Sequence, residues 1–214
     1  MVVIDYGLGN LLSVAKAFEE VSGGVEVLVT GKATDLKEAS HLVLPGVGNF
    51  KTGMENLRRL ALVKPLEEEV LGKGKPFLGI CLGLQLLAEV GEEFGEHRGL
   101  GFIPGRVRQL RSNGLPLPHI GWQDIERVKD THLFDERSSK KDYYFVHSFV
   151  LECPEDYVTA ACTYGERFPA AVQRDNIMAT QFHPEKSREA GLDILRNFLR
   201  GKECSRSEWF LSSF

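Results

Sequence analysis

The segment Gly79-Ile80-Cys81-Leu82-Gly83 sets a thiol between two small residues, where an apolar run gives way to a helical pattern. Small residues on both sides of a nucleophile permit a sharp strand-to-helix turn that lifts its side chain out of the sheet. At such a turn Cys81 lies near a helix N-terminus, whose partial positive charge favours the thiolate. The next backbone N–H, that of Leu82, points where an oxyanion would develop. The same five residues would also suit a buried cysteine packed between two glycines, so the chemistry needs further groups.

A thiol nucleophile requires a base, and the base an orienting partner. Of the six histidines, His183 is distinctive. It ends the apolar run Ile177 to Phe182 and is followed by Pro184-Glu185. Residues two apart on an extended chain face the same side. Glu185 can therefore reach the His183 ring and fix its tautomer, while Pro184 stiffens the spacing. A metal reading of this pair fails for want of a third ligand at sensible spacing. His41, His97, His119 and His132 carry weaker claims. The glycine-rich Pro45-Gly46-Val47-Gly48 follows another apolar run, and its backbone N–H groups can approach a ligand closely. Near Cys81 it would supply a second oxyanion donor; alone it would be an ordinary turn. Gly7-Leu8-Gly9-Asn10-Leu11-Leu12, with Glu26 further on, loosely fits a dinucleotide-binding turn. Leu12 takes the third glycine position there and would crowd the helix against the sheet.

These groups must be held by a scaffold. In the first 90 residues short apolar runs (Val2–Asp5, Val25–Val29, His41–Leu44, Phe77–Ile80) alternate with helical patterns (10–22, 51–62, 66–71, 82–90). That alternation predicts βαβ units, hence an α/β fold with an open, mostly parallel central sheet flanked by helices. The second half predicts closely spaced strands (within Leu100–Leu110, then Tyr143–Val146, Tyr157–Cys162, Ala170–Gln173 and Ile177–Phe182). These are too close together for helical crossovers, so an additional antiparallel region is expected. An amphipathic helix over 187–200, stopped by Gly201, closes the fold. Residues 126–142 read as a charged excursion. A single domain over 1–201 with a tail at 202–214 is expected.

The chain has 214 residues, 43% of them hydrophobic, and a net charge of −4. Nothing in that balance provides a basic footprint for nucleic acid. No run nears the roughly 20 apolar residues needed to span a bilayer, and no signal peptide opens the chain. The four cysteines, Cys81, Cys153, Cys162 and Cys204, are then expected as free thiols in a reducing cytoplasm.

Taken together, G-x-C-x-G at 79–83, P-G-x-G at 45–48 and His183-Pro184-Glu185 resemble the class I (triad-type) glutamine amidotransferases in both content and order. Ile4 to Asn10, Pro118 to Trp122 and Tyr144 to Phe149 further resemble the glutaminase subunit of imidazole glycerol phosphate synthase, from residue 2 to about 200. The last of these motifs often ends in Tyr where this chain has Phe149. The resemblance implies that Cys81 attacks the side-chain amide of L-glutamine, with His183 and Glu185 completing a triad and a thioester as intermediate. It implies that Leu82 and the Gly46-Val47-Gly48 loop stabilise the oxyanions, that Gln85 contacts substrate and that the Ser148 and Phe149 backbone binds the α-carboxylate. His147 would order that loop. It implies no cofactor and no metal. A (β/α)₈-barrel cyclase would be the heterodimeric partner, using the ammonia to make imidazole glycerol phosphate and AICAR in histidine biosynthesis. The interface is expected to carry Asn10, Trp122, Tyr144 and Lys186. The triad alone would serve as well for a glutaminase of another synthase or a γ-glutamyl hydrolase. A catalytically silent module on the same fold is the alternative outside enzymes.

Overall fold

The computed structural model describes residues 1–134 and 142–201. The expected excursion at 126–142 lies partly outside the described residues, and the tail 202–214, with Cys204, wholly so. Four short apolar runs form β1 (Val2–Ile4), β2 (Leu28–Thr30), β3 (Leu42–Gly46) and β4 (Phe77–Cys81). There follow β5 (Val90–Gly91), β6 (His97–Arg98), β7 (Arg106–Gln109), β8 (His119–Asp124) and β9 (Glu126–Arg127). The last strands are β10 (Asp142–His147), β11 (Phe149–Glu152), β12 (Val158–Tyr164), β13 (Glu166–Arg174) and β14 (Ile177–Thr180). The helices are α1 (Leu11–Val21), α2 (Ala33–Glu38), α3 (Phe50–Arg59), α4 (Val63–Leu66), α5 (Leu82–Gln85) and α6 (Arg188–Arg200).

The central sheet has the order β2-β1-β3-β4-β14-β13-β12-β9. It is parallel from β2 to β14 and antiparallel from β13 onward. This is the α/β architecture expected from the sequence, including the antiparallel region of the second half. Alternation along the strands splits the core into two layers. Val3, Val43 and Leu78 face one side, under Phe18 of α1 and Phe198 of α6. Val2, Ile4, Leu44 and Phe77 face the other, with Met54 and Leu57 of α3 and Leu66 of α4. Phe18 and Phe198 meet edge to face at 6.1 Å. Fully burying such a ring contributes about 1.5–3 kcal/mol.

Two further sheets complete the second half. β10 and β8 form an antiparallel ribbon in which His147 pairs with His119 and Tyr144 with Trp122. The order β11-β7-β5-β6 makes a small four-stranded sheet beside the site.

Some elements differ from their sequence reading. The helix expected over 82–90 is a single turn, α5, because the N–H groups of Leu100, Ile103, Gly101 and Gly99 capture the carbonyls of Leu86, Leu87, Ala88 and Glu89. The chain then peels into β5. The helix expected at 66–71 is α4 followed by a wider π turn at Glu67–Gly72. α2 and β8 were not anticipated: α2 buries only Leu36 and β8 only His119, so neither displays a hydrophobic period. Leu133 and Phe134 of the charged excursion are buried. Leu12 is 73% exposed, so the expected crowding at that position does not arise.

Candidate active site

The carboxyl ends of β3, β4 and β14 lie side by side, with Gly46 in register with Cys81 and Thr180 with Ile80. Ligands of open α/β sheets collect at this edge. Cys81 ends β4 with φ 55° and ψ −106°, a conformation costly for any residue with a Cβ. The surrounding packing enforces it. A Cβ on Gly83 would lie 1.8 Å from the Leu44 carbonyl oxygen, so only glycine lets the turn after Cys81 press against β3. At Gly46 a Cβ would lie 2.3 Å from the Tyr6 hydroxyl and 2.8 Å from Leu82 Cβ. The P-G-x-G loop is thus seated directly against the residue that follows the thiol. Because α5 is one turn long, the electrostatic contribution near Cys81 is that of its first N–H groups rather than of a long helix dipole.

His183 follows β14 and is buried. Its Nδ1 lies 2.8 Å from Glu185 Oε1, and the Glu185 side chain is only 1% exposed. Glu185 accepts the Nδ1–H, which fixes the tautomer and leaves Nε2 as the ring's basic nitrogen. Burial opposes charge on the ring, but the nearby Cys81, and then the hydrogen bond to Glu185, outweigh it and raise the His183 pKa to about 10. The backbone around His183 is also held. Its N–H donates to the Tyr144 carbonyl at 2.9 Å. Ser187 Oγ donates to the His183 carbonyl at 2.6 Å and accepts from Tyr144 N–H at 3.0 Å.

A cavity of about 250 Å³ opens above the thiol, lined by Val47, Gly48, Cys81, Leu82 and Gln85 on one side and Val146 to Phe149, Pro118 and Glu93 on the other. The structure therefore brings Cys81, Leu82, Val47, Gly48, Gln85, Ser148 and Phe149 to one hollow, with Gly46 beneath its rim. Wider hollows, such as one of about 530 Å³ around Thr131, share no lining residue with it. Gln85 Nε2 donates to the Phe149 carbonyl at 2.9 Å, and His147 Nδ1 donates to the same oxygen at 3.1 Å. His147 Nε2 faces His119 Nδ1 at 3.2 Å. Burial, and then the facing His119, press the His147 pKa down to about 3, so the ring is neutral and its tautomer is set by the Phe149 carbonyl. His147 thus orders the 146–149 turn.

Two site residues escaped the sequence reading. Gln181 is fully buried, with Nε2 3.7 Å from Cys81 Sγ. The only signal was proximity to His183 in sequence. The i, i+2 spacing expected of an extended chain does not hold here, because β14 ends at Thr180 and Pro184–Lys186 form a tight helical turn that brings Glu185 back to His183. Glu93 lines the cavity and accepts the N–H of Phe50, the first residue of α3, at 2.9 Å. Nothing in its local sequence marks it, since the β5 chain reversal alone brings it there. Among the described residues no group of three or more His, Cys, Asp or Glu side chains is placed to hold a metal ion.

Trp122, Tyr144 and Lys186 form one patch. The two rings meet at 5.9 Å, the Lys186 ammonium lies 5.7 Å from the Tyr144 ring, and Arg188 stacks 4.5 Å from Trp122. Asn10 does not touch these residues in any contact the structure shows; it is exposed at the start of α1, which packs against the Pro184–Lys186 turn. Cys153 and Cys162 are free thiols with pKa values pushed up to about 12 by burial, so both stay protonated near neutrality. Among the described residues no helix is long and apolar enough to cross a membrane.

The profile of the family "Glutamine amidotransferase class-I" matches residues 2–201. The imidazole glycerol phosphate synthase subunit HisH 1 of Campylobacter jejuni is 48% identical, over 92% of this chain and 98% of its own. HisH of Aquifex aeolicus is also 48% identical, over 94% and 97%. The same fold occurs in PurLQS from Thermotoga maritima, with a TM-score of 0.71 at 21% identity over 94% and 96% of the two chains. A solved glutamine amidotransferase gives 0.69 at 20% identity over 93% and 97%. Matched from end to end of its described fold and nearly half identical to relatives of its own length, the chain belongs to the class-I glutamine amidotransferase family, enzymes that hydrolyse glutamine.

Proposed function

We propose that this enzyme is the glutaminase subunit of an imidazole glycerol phosphate synthase, with Cys81 as nucleophile, His183 as acid and base and Glu185 as the group that orients His183. The observation that carries the catalytic reading is the buried His183 imidazole fixed through Nδ1 by Glu185 at 2.8 Å, with Nε2 buried and unpaired, just past the end of β14 beside the strand that ends in Cys81. The Cys81 thiolate attacks the side-chain amide carbon of glutamine. The C=O π electrons move onto oxygen, and the N–H groups of Leu82 and of the Gly46-Val47-Gly48 loop receive that charge. The imidazolium of His183 gives its proton to the amide nitrogen, the C–N bond breaks and ammonia leaves a thioester. Water then adds to the thioester as His183 takes its proton, and glutamate departs with the thiolate restored.

The cavity lining suits a zwitterionic amino acid. Glu93 is the one carboxylate in its lining and matches the α-ammonium. No Lys or Arg lines the cavity, so the α-carboxylate falls to backbone N–H groups of Ser148 and Phe149. Free ammonia is mostly protonated in neutral water and then useless as a nucleophile. A glutaminase therefore needs an acceptor site close by, and the HisH relatives carry the name of a synthase subunit. The partner we infer is a (β/α)₈-barrel cyclase forming a heterodimer, docked through Trp122, Tyr144, Lys186 and, beside them, Asn10. Its products would be imidazole glycerol phosphate and AICAR. Folding as one domain over 1–201, in the cytoplasm, completes this reading.

The test is glutamate release by the purified chain, alone and with a cyclase subunit plus its nucleotide substrate. We expect turnover that rises with the partner and vanishes in Cys81→Ala. Turnover that survives in Cys81→Ala would remove the catalytic reading, and turnover blind to the partner would remove the histidine-pathway reading.

A further inference from the structure

Two side-chain amides and a main-chain carbonyl beside Cys81 form a chain whose direction can be worked out. The Phe149 carbonyl can only accept, so the Gln85 atom 2.9 Å away is its nitrogen. The second hydrogen of that nitrogen reaches Gln181 at 3.2 Å, so Gln181 presents its oxygen to Gln85. The opposite end of the Gln181 amide is then a nitrogen, 3.7 Å from Cys81 Sγ. Gln181 cannot turn over without setting two donors against each other at Gln85. Its backbone is pinned as well, N–H to the Ala170 carbonyl at 2.8 Å, and its side chain is sealed from water.

We propose that Gln181 is a further catalytic residue of this enzyme: its Nε2–H donates to the Cys81 sulfur and stabilises the thiolate, and Gln85 holds the amide in the orientation that makes this possible. The assignment rests on Cys81 being the nucleophile. Two groups with opposite preferences face the sulfur. The Val146 carbonyl, 3.9 Å away, accepts from the thiol and so favours the neutral form. The Gln181 amide donates, and a donor bonds an anionic sulfur more strongly than a neutral one. Unlike His183, Gln181 carries no exchangeable charge, so it keeps donating after His183 has given its proton to the leaving ammonia. The thiolate that leaves the thioester in the second half of the reaction meets the same donor. Since Gln85 also lines the cavity, glutamine bound against it would be joined to the nucleophile through a single amide.

The test is the pH dependence of Cys81 alkylation by iodoacetamide, followed at Cys81 by peptide mass spectrometry in wild type, Gln181→Leu and Gln181→Glu. Cys153 and Cys162 do not compete near neutrality, because burial keeps them protonated. We expect the midpoint to rise by about one pH unit in Gln181→Leu, a tenfold loss of thiolate below it. In Gln181→Glu, where an acceptor replaces the donor, it should rise further. Glutaminase kcat/KM should fall at least as far. A wild-type midpoint in Gln181→Leu would overturn the proposal. If that variant does not fold, the side-chain ¹⁵N–H signal of Gln181 in the wild-type protein decides. It must titrate with the thiol and lose that titration in Cys81→Ala, and a signal indifferent to Cys81 would overturn the proposal equally. Glutamate release that persists in Cys81→Ala would instead strike at the nucleophile itself, so the two failures are distinguishable.

Discussion

A histidine at the bottom of an apolar site is ordinarily pushed toward neutrality, yet His183 is raised to about 10. Burial alone would act the other way, so the raising depends on Cys81 and Glu185. Replacing either should lower the His183 titration midpoint by more than one pH unit, as read by ¹³C or ¹⁵N chemical shifts in Glu185→Gln and Cys81→Ser. The consequence for stability has a definite sign. The folded value lies above the unfolded value of about 6.5, so the charged ring stabilises the fold fully below that value and loses this contribution as pH rises through 10. The alkaline limb of kcat/KM should fall in the same region, and earlier in Glu185→Gln. His147 has the opposite sign. With its folded value pressed to about 3, the unfolded chain takes up the proton first, so stability present above about 6.5 drains away as pH falls toward 3. Urea midpoints of wild type and His147→Phe between pH 7 and 4 should converge as the wild type loses that advantage. Phe149 shows why a missing hydroxyl need not matter here. Its main-chain oxygen, not its ring, receives Gln85 and His147.

Strand-end geometry sets what the elements do. The left-handed φ of Cys81 is imposed by β4 turning into α5 against β3, and a glycine would adopt it with less strain. Cys81→Gly should therefore be more stable than Cys81→Ala by about 1 kcal/mol in urea denaturation, and both are expected to lose glutaminase turnover. If the alanine variant proved the more stable, the elbow would not be strained. Gly83→Ala is expected to cost about 3 kcal/mol or more, because the new methyl meets a backbone carbonyl that cannot move without breaking β3 from β4. The turn carrying His183 depends on Ser187. Its hydroxyl ties the His183 carbonyl to the Tyr144 N–H, and Ser187→Ala should cost about 1–3 kcal/mol in the same measurement. Since β10 also carries Tyr144, this bond joins His183 to the aromatic patch at the surface.

Over the whole molecule, the β8–β10 ribbon has two working faces. His119 and His147 are a buried pair under the cavity wall, while Trp122 and Tyr144 are a pair on the opposite face. Lys186 and Arg188 lie against those outer rings. An exposed aromatic pair clamped by two cations is a suitable anchor for a partner surface. Lys186→Glu is expected to weaken association with a cyclase subunit and to lower coupled turnover at least tenfold. Unchanged binding in sedimentation velocity would displace the interface from this face. The ribbon is also a short physical path between that face and Cys81, because the Val146 carbonyl of β10 touches the thiol.

Much of this was legible in the residues. A thiol between glycines, a histidine and glutamate two apart and a glycine-rich turn are local patterns, and local sterics dictate their backbone whatever surrounds them. The alternation of the first half was readable because short, wholly buried apolar strands (β1, β3, β4) alternate with helices such as α1 and α3 that bury only one face. What the chain did not disclose depends on contacts between distant segments. The helix begun at Leu82 ends after one turn because loop 99–103 takes its carbonyls, a pairing that no hydrophobic period announces. Residues buried on every side, such as Leu86, Leu87 and Ala88, show no period to read. Glu93 reaches the cavity by a chain reversal, and Gln181 is aimed at the sulfur by Gln85, an amide 96 residues away in sequence. Local geometry thus determined which groups could react, and only tertiary packing decided which other polar groups surround them.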